Sequence, residues 1–228
     1  MKLAWQQIPS TVISDILCQN KLDGVVLDLE HGSFNLETIY SCIQVITLNK
    51  KTCFVRLPSI DSVMVKYCLD AGCNGIIFST VETIDDAHDA RDFSKHPTYG
   101  GYRGLGLVRG NKWGKDELVS KPPTLICQIE SVAGVENISE IWSLGVFDYC
   151  MIGPYDLSAS MGDAGNFNSQ DYIASVAEVA KHVKKENMAV HIPSNVKNEL
   201  KKYSDFGIIA LGMDTTFILE KYKEVEDA

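Results

Sequence analysis

The sequence predicts an α/β protein folded as one (β/α)8 barrel, a TIM barrel, with a single domain spanning residues 1–228. Three observations predict it. Eight short apolar runs recur along the chain, with helical patterns between them. No low-complexity stretch or linker divides them. The length of 228 residues is close to the roughly 250 usual for this architecture.

The runs are KLAWQQ, DGVVLDLE, TCFVRLP, GIIFST, TLICQIE, DYCMIGP, MAVHIP and GIIALG. Near-continuous apolar strands of this kind belong to parallel sheets covered by helices. STVISDILCQN, LETIYSCIQVITLNK, SVMVKYCLDAG and YIASVAEVAKHVKKEN read as covering helices. Eight units favour closure over an open, doubly wound sheet. After the fourth strand, the helical pattern TIDDAHDARDFSKH leads into PTYGGYRGLGLVRGNKWG. This excursion is expected either to cover the site or to pack against another subunit. TTFILEKYKEVEDA reads as the last helix.

Bulk properties narrow the function. The apolar share of 45% is that of a globular protein with a full core. No apolar run approaches the roughly 20 residues that span a bilayer, and MKLAWQQIPS lacks signal-peptide anatomy, so neither a membrane nor export is expected. A net charge of -9 without a basic face disfavours nucleic acid. The seven cysteines form no CxxC pair and read as buried, reduced thiols of a cytoplasmic protein.

Barrel enzymes assemble their sites at the C-terminal ends of the strands. There the chain offers Asp28, Glu30 and His31, then Arg56, then Gln128 and Glu130, then Gly153, Pro154 and Asp156, with His191 and Asp214 following. No lysine stands at a strand end; Lys112, in the long loop, is the weak alternative. A Schiff-base mechanism is therefore not expected. Glu130 and Asp156 lie one β/α unit apart and suit a hard divalent cation, or else pair with arginine or cap a helix. The GPYDLS turn points backbone N–H groups towards a small carboxylate, or is an ordinary strand-to-helix turn. His31 reads as a general base or a surface histidine. Arg56, closing an apolar strand, needs an anionic partner: a substrate oxyanion, or Glu30.

At these residues the chain resembles the HpcH/HpaI aldolases, a family of metal-dependent class II pyruvate aldolases. The resemblance runs over nearly the whole chain, through VVLDLEHGSFNLET, FVRLPSIDSVMVKYCLDAG, YRGLG, CQIES and MIGPYDLSASMGDAG. It implies that Glu130 and Asp156 ligate Mg2+ or Mn2+, with Co2+ a further candidate, and that Gln128 stands beside them. His31 would be the catalytic base, Asp70 the acid that orients it (in the family often across a subunit interface), and Arg56 the oxyanion stabiliser. Asp28 would position metal-bound water. Gly153 and the backbone around Tyr155 and Asp156 would hold the pyruvate carboxylate. The implied partners are pyruvate and an aldehyde, or a 4-hydroxy-2-oxo acid, with no nucleotide cofactor. The implied assembly is a homo-oligomer, commonly a hexamer, with the last helix exchanged between copies. Tyr155 departs from the family's usual small residue and His191 from a usual apolar one. Two rival readings keep the fold: the same enolate chemistry on a citrate-like or acyl-CoA substrate, for which Arg103 and Arg109 are the one hint of a coenzyme landing area, and a non-catalytic barrel.

Overall fold

The computed structural model describes residues 1–117, 121–194 and 196–227. Its eight strands are β1 (Lys2–Gln6), β2 (Gly24–Asp28), β3 (Thr52–Leu57), β4 (Gly75–Phe78), β5 (Thr124–Ile129), β6 (Tyr149–Ile152), β7 (Met188–Ile192) and β8 (Ile208–Leu211). They pair in parallel in sequence order and close through β1 against β8, so each predicted run is a stave of one barrel. The helices are α1 (Thr11–Cys18), α2 (Leu36–Leu48), α3 (Ser62–Ala71), α4 (Ile84–Ser94), α5 (Val132–Glu136), α6 (Ile138–Ser143), α7 (Pro154–Ser160), α8 (Gln170–His182), α9 (Val196–Glu199) and α10 (Asp214–Glu226).

Local chemistry sets the helix ends. Asn35 and Asp61 accept the backbone N–H groups of Thr38 and Met64 at the starts of α2 and α3, and Thr83 with Asp86 forms a reciprocal cap on α4. Gly72 ends α3 at φ 97, a left-handed conformation that suits glycine.

Alternation along the strands divides the core in two. Leu3, Trp5, Val26, Phe54, Ile77, Ile126, Met151, Ala189, Ile208 and Ala210 fill the barrel. The alternate residues, among them Ala4, Val25, Leu27, Val55, Ile76 and Leu125, pack outwards against the helices. All seven cysteines are buried, and burial raises the thiol pKa of Cys53, Cys68 and Cys127. Two residues beyond the lumen plug, the same inward rows present Asp28, Arg56, Ser79, Gln128, Gly153 and His191. The floor of the mouth is thus polar because of a period of two.

The long excursion is at the other rim. Helix α4 returns the chain to the N-terminal ends of the strands, and the segment after it folds beneath α3. There Arg103 pairs with Asp70 at 2.6 Å, and Arg109 donates to the Ala71 carbonyl and the Thr47 hydroxyl. It cannot cover the mouth of its own barrel. Tyr102, Leu105, Leu107 and Trp113 stand exposed on it. Helix α10 is tied to its own barrel through Asp214, whose two oxygens accept the N–H groups of Gln7 and Ile8, yet it exposes Phe217, Leu219 and Tyr222. Among the described residues no helix is long and apolar enough to cross a membrane.

Candidate functional site

Arg56 organises one side of the mouth. Its Nε and Nη2 donate to the two oxygens of Asp28 at 2.9 and 2.6 Å, and its Nη1 lies 2.7 Å from Glu30 Oε2. Register explains the first pair, since Asp28 and Arg56 are directly opposite on β2 and β3. Asp28 is fully buried, and Trp5 and Gln7 also donate to it. Burial alone would raise its pKa; the hydrogen bonds and charge of Arg56, with those of Gln7 and Trp5, outweigh burial and hold it at about 2. Three of the five guanidinium N–H bonds are directed at these acids, which leaves two for a ligand. Of the two partners open to Arg56 in the sequence, Glu30 is present, and it is joined by Asp28, which the sequence reading did not pair with Arg56.

Glu30 links this cluster to His31. Its Oε2 accepts from Ser79 at 2.9 Å and lies 3.9 Å from His31 Nε2, and the imidazole itself is largely exposed at the rim. Asp70 does not meet His31 within the chain. It stands at the far end of α3, at the opposite rim, beside Arg103.

The other side of the mouth is built on β5 and β6. Glu130 is buried; its Oε1 accepts from the backbone N–H and hydroxyl of Thr80, and its Oε2 from the Gln128 amide. Burial raises its pKa, a tendency opposed by Thr80 and Gln128 and assisted by the nearby charge of Glu30. Thr80 holds this position at φ 53, an unusual conformation for a β-branched residue. Gly153 is required where it stands: a Cβ there would lie 2.5 Å from Glu130 Oε2 and 3.0 Å from Gln128 Nε2. It is also the N-cap of α7, without a side-chain hydrogen bond, so neither Asp156 nor Ser158 caps that helix. Asp156 lies exposed in the first turn of α7. Tyr155 is exposed as well, its ring edge-on to Phe167 at 5.2 Å.

One detail at Gln128 bears on a metal ion. Its Nε2 faces Glu130, which leaves Oε1 buried with no hydrogen-bond partner. A buried amide oxygen without a donor, beside a carboxylate whose burial disfavours bare charge, fits a cation. The donors are all oxygen, which suits Mg2+, Mn2+ or Co2+. Among the described residues no three His, Cys, Asp or Glu side chains converge, so the protein would supply few of the ligands.

Sequence reasoning missed Trp5, Gln7, Ser79 and Thr80. Ser79 and Thr80 stand at the end of the fourth run and were open to the strand-end rule; nothing in the sequence marks the φ of Thr80. Asp214, by contrast, was open to a site role and is occupied with backbone N–H groups. Arg103 and Arg109, the hint of a coenzyme landing area, lie bonded at the opposite rim.

A closed parallel barrel with carboxylates, an arginine and a histidine gathered at its C-terminal mouth has the layout of a barrel enzyme. The family model described as HpcH/HpaI aldolase/citrate lyase matches residues 5–220, and the chain belongs to that family. A 4-hydroxy-2-oxo-heptane-1,7-dioate aldolase of Escherichia coli is 28% identical over 222 residues, covering 94% of this chain and 84% of the relative. Family and relative indicate an enzyme of the lyase and aldolase class. Among solved structures, an HpcH/HpaI aldolase/citrate lyase family protein from Burkholderia cenocepacia J2315 superposes with a TM-score of 0.90 at 24% identity, covering 100% of this chain and 93% of that one. A citrate lyase beta subunit from M. tuberculosis, complexed with oxaloacetate and magnesium, shares the fold at a TM-score of 0.58 and 12% identity, with 92% and 90% covered.

Proposed function

We propose that this protein is a divalent-metal-dependent class II pyruvate aldolase, which joins pyruvate to an aldehyde or cleaves a 4-hydroxy-2-oxo acid. The observation that carries the reading is the pairing of two features across one mouth: the buried Glu130 with the unpartnered Oε1 of Gln128, and Arg56 with two unclaimed N–H bonds. The first suits a cation, the second an oxyanion. The membership of the chain and the aldolase activity named for its E. coli relative point the same way.

In this reading Glu130 and Asp156 hold Mg2+ or Mn2+, with Co2+ a third option. Such an ion would supply Lewis acidity, which would ease loss of a methyl proton from pyruvate. Gly153 leaves room for the pyruvate carboxylate beside the backbone of Tyr155 and Asp156. His31 takes the methyl proton, and Glu30, 3.9 Å away, favours the imidazolium that results. The free N–H bonds of Arg56 stabilise the developing enolate oxygen, while Asp28 keeps the guanidinium from turning. Asp28 thus acts through Arg56 in addition to any ordering of water. Asp70 serves a second copy of the chain, because its own His31 is at the opposite rim. The exposed aromatic and aliphatic side chains around Arg103 and on α10 suit such a homo-oligomer, including an exchange of α10 in a hexamer.

The test is deuterium exchange of the pyruvate methyl group, followed by mass spectrometry with and without Mn2+. Wild type should exchange only with the ion, and Glu130→Gln should abolish both exchange and Mn2+ binding in calorimetry. Exchange without Mn2+ in the chelator-treated protein, or none at all, overturns the reading.

A further inference from the structure

His191 is an inward-facing residue at the C-terminal end of β7 that the proposed chemistry does not use. Its ring lies flat on Trp5, with centroids 4.0 Å apart and planes 10° from parallel. The same indole has the Arg56 guanidinium carbon 4.9 Å from its ring centre and donates its Nε1–H to Asp28 Oδ2 at 3.1 Å. Imidazole, indole, guanidinium and carboxylate therefore form one continuous contact, ending at the arginine that faces the substrate.

The orientation of the imidazole is determined. Its Nε2 lies 3.0 Å from the carbonyl of Gly212. A carbonyl can only accept, so that nitrogen carries the proton. Gly212 is itself held, since its N–H donates to the Ile192 carbonyl at 2.7 Å. The plane of the ring is thus locked to the ends of β7 and β8, and the indole beneath it cannot tip without losing the stack. The ring is also uncharged: burial lowers its pKa to about 4, the Gly212 bond and Asp28 oppose that, and Arg56 adds to it. An uncharged aromatic surface holds Trp5 without placing a second cation beside Arg56.

We propose that His191 is a positioning residue for Arg56, acting through Trp5. It clamps the indole, and the indole in turn holds the Arg56–Asp28 pair at the height where the free N–H bonds meet the enolate oxygen. This inference rests on the pyruvate-enolate reading. It predicts which property of residue 191 matters: a flat aromatic face, which phenylalanine keeps and leucine lacks at similar bulk.

The experiment is the Mn2+-dependent methyl exchange of pyruvate in wild type, His191→Phe, His191→Leu, Trp5→Leu and the His191→Leu/Trp5→Leu double variant, each assayed at a temperature below the onset of its own cooperative unfolding transition. His191→Phe should stay within a few-fold of wild type. His191→Leu should lower kcat by about 10- to 100-fold, the scale of a displacement near 1 Å in a catalytic group, with little change in KM. In the Trp5→Leu background the same substitution should have little further effect, because the route to Arg56 is already cut. Equal rates in His191→Phe and His191→Leu, or full additivity with Trp5→Leu, overturn the role of His191 while leaving the aldolase reading intact. A wild type that exchanges nothing overturns that reading and this role together.

Discussion

The barrel carries a buried arginine–aspartate pair at each end, and the two differ in what surrounds them. Arg56 and Arg103 have side chains equally buried, each 9% exposed, and each meets its aspartate at 2.6 Å. At the mouth, Asp28 is fully enclosed, a second acid lies on Nη1, an indole lies beneath, and two N–H bonds are left unclaimed. At the opposite rim, Asp70 is 23% exposed and Arg103 Nε is buried with no partner. The same two residue types therefore stand in the polar mouth of the barrel in one place and at the end of a helix in the other. Strand ends converge on a lumen, whereas helix ends diverge towards neighbours.

The contrast can be broken first by truncation. Arg56→Ala should cost at least ~10²-fold in pyruvate exchange, the scale of losing one oxyanion donor. It should also destabilise the fold by about 3–5 kcal/mol by stranding the Asp28 charge, as measured by urea unfolding. Arg103→Ala should act on oligomeric state in light scattering, and on exchange through assembly alone. Equal losses of exchange at equal assembly would erase the distinction.

Acid sharpens it next. Asp28 has its folded pKa depressed, so its contribution is present above the unfolded value and is lost as pH falls through about 2. From an ordinary value of 3.8 to about 2, that contribution is of the order of 2 kcal/mol. His191 is held uncharged, facing Arg56 and Asp28, so the unfolded chain takes up its proton first and stability falls from about pH 6.5 down to about 4. Unfolding free energy measured from pH 7 to 3 should show this leg in wild type and lose it in His191→Phe. A leg of equal size in the variant would assign it to other groups.

The smallest effect is expected at Gly153. A methyl group there would press on Glu130 Oε2 at 2.5 Å and on the Gln128 amide. Gly153→Ala should cost about 1–3 kcal/mol of stability and weaken Mn2+ binding. Unchanged Mn2+ affinity would show that the packing of Glu130 and Gln128 does not shape the ion's seat.

Much of this was legible in the linear chain. The eight runs are the eight strands to within about two residues at either end, because strands buried on both faces must be apolar nearly throughout. The period of two then places Asp28, Arg56, Gln128 and Gly153 on one side of the sheet, whereas the Asp28–Arg56 pairing, which the sequence reading did not anticipate, follows from the register of β2 against β3. The missed members of the site are of another kind. Trp5 reads as core, and is core along one edge while touching Arg56 and Asp28 along the other. Thr80 matters through its backbone conformation, which its side chain does not announce.

By itself, the sequence determined the barrel, the order of its staves and the rim at which acids, an arginine and a histidine gather, since these follow from short-range periodicity and the chemistry of single side chains. Only the tertiary structure decided how the groups divide: which acids Arg56 keeps for itself, that Gln128 leaves an oxygen without a donor, that Asp70 turns away from His31, and that His191 lies on Trp5. Those outcomes depend on side chains up to some 200 positions apart competing for the same lone pairs and ring faces in one crowded volume, as when Asp214 claims Gln7 across the closing seam.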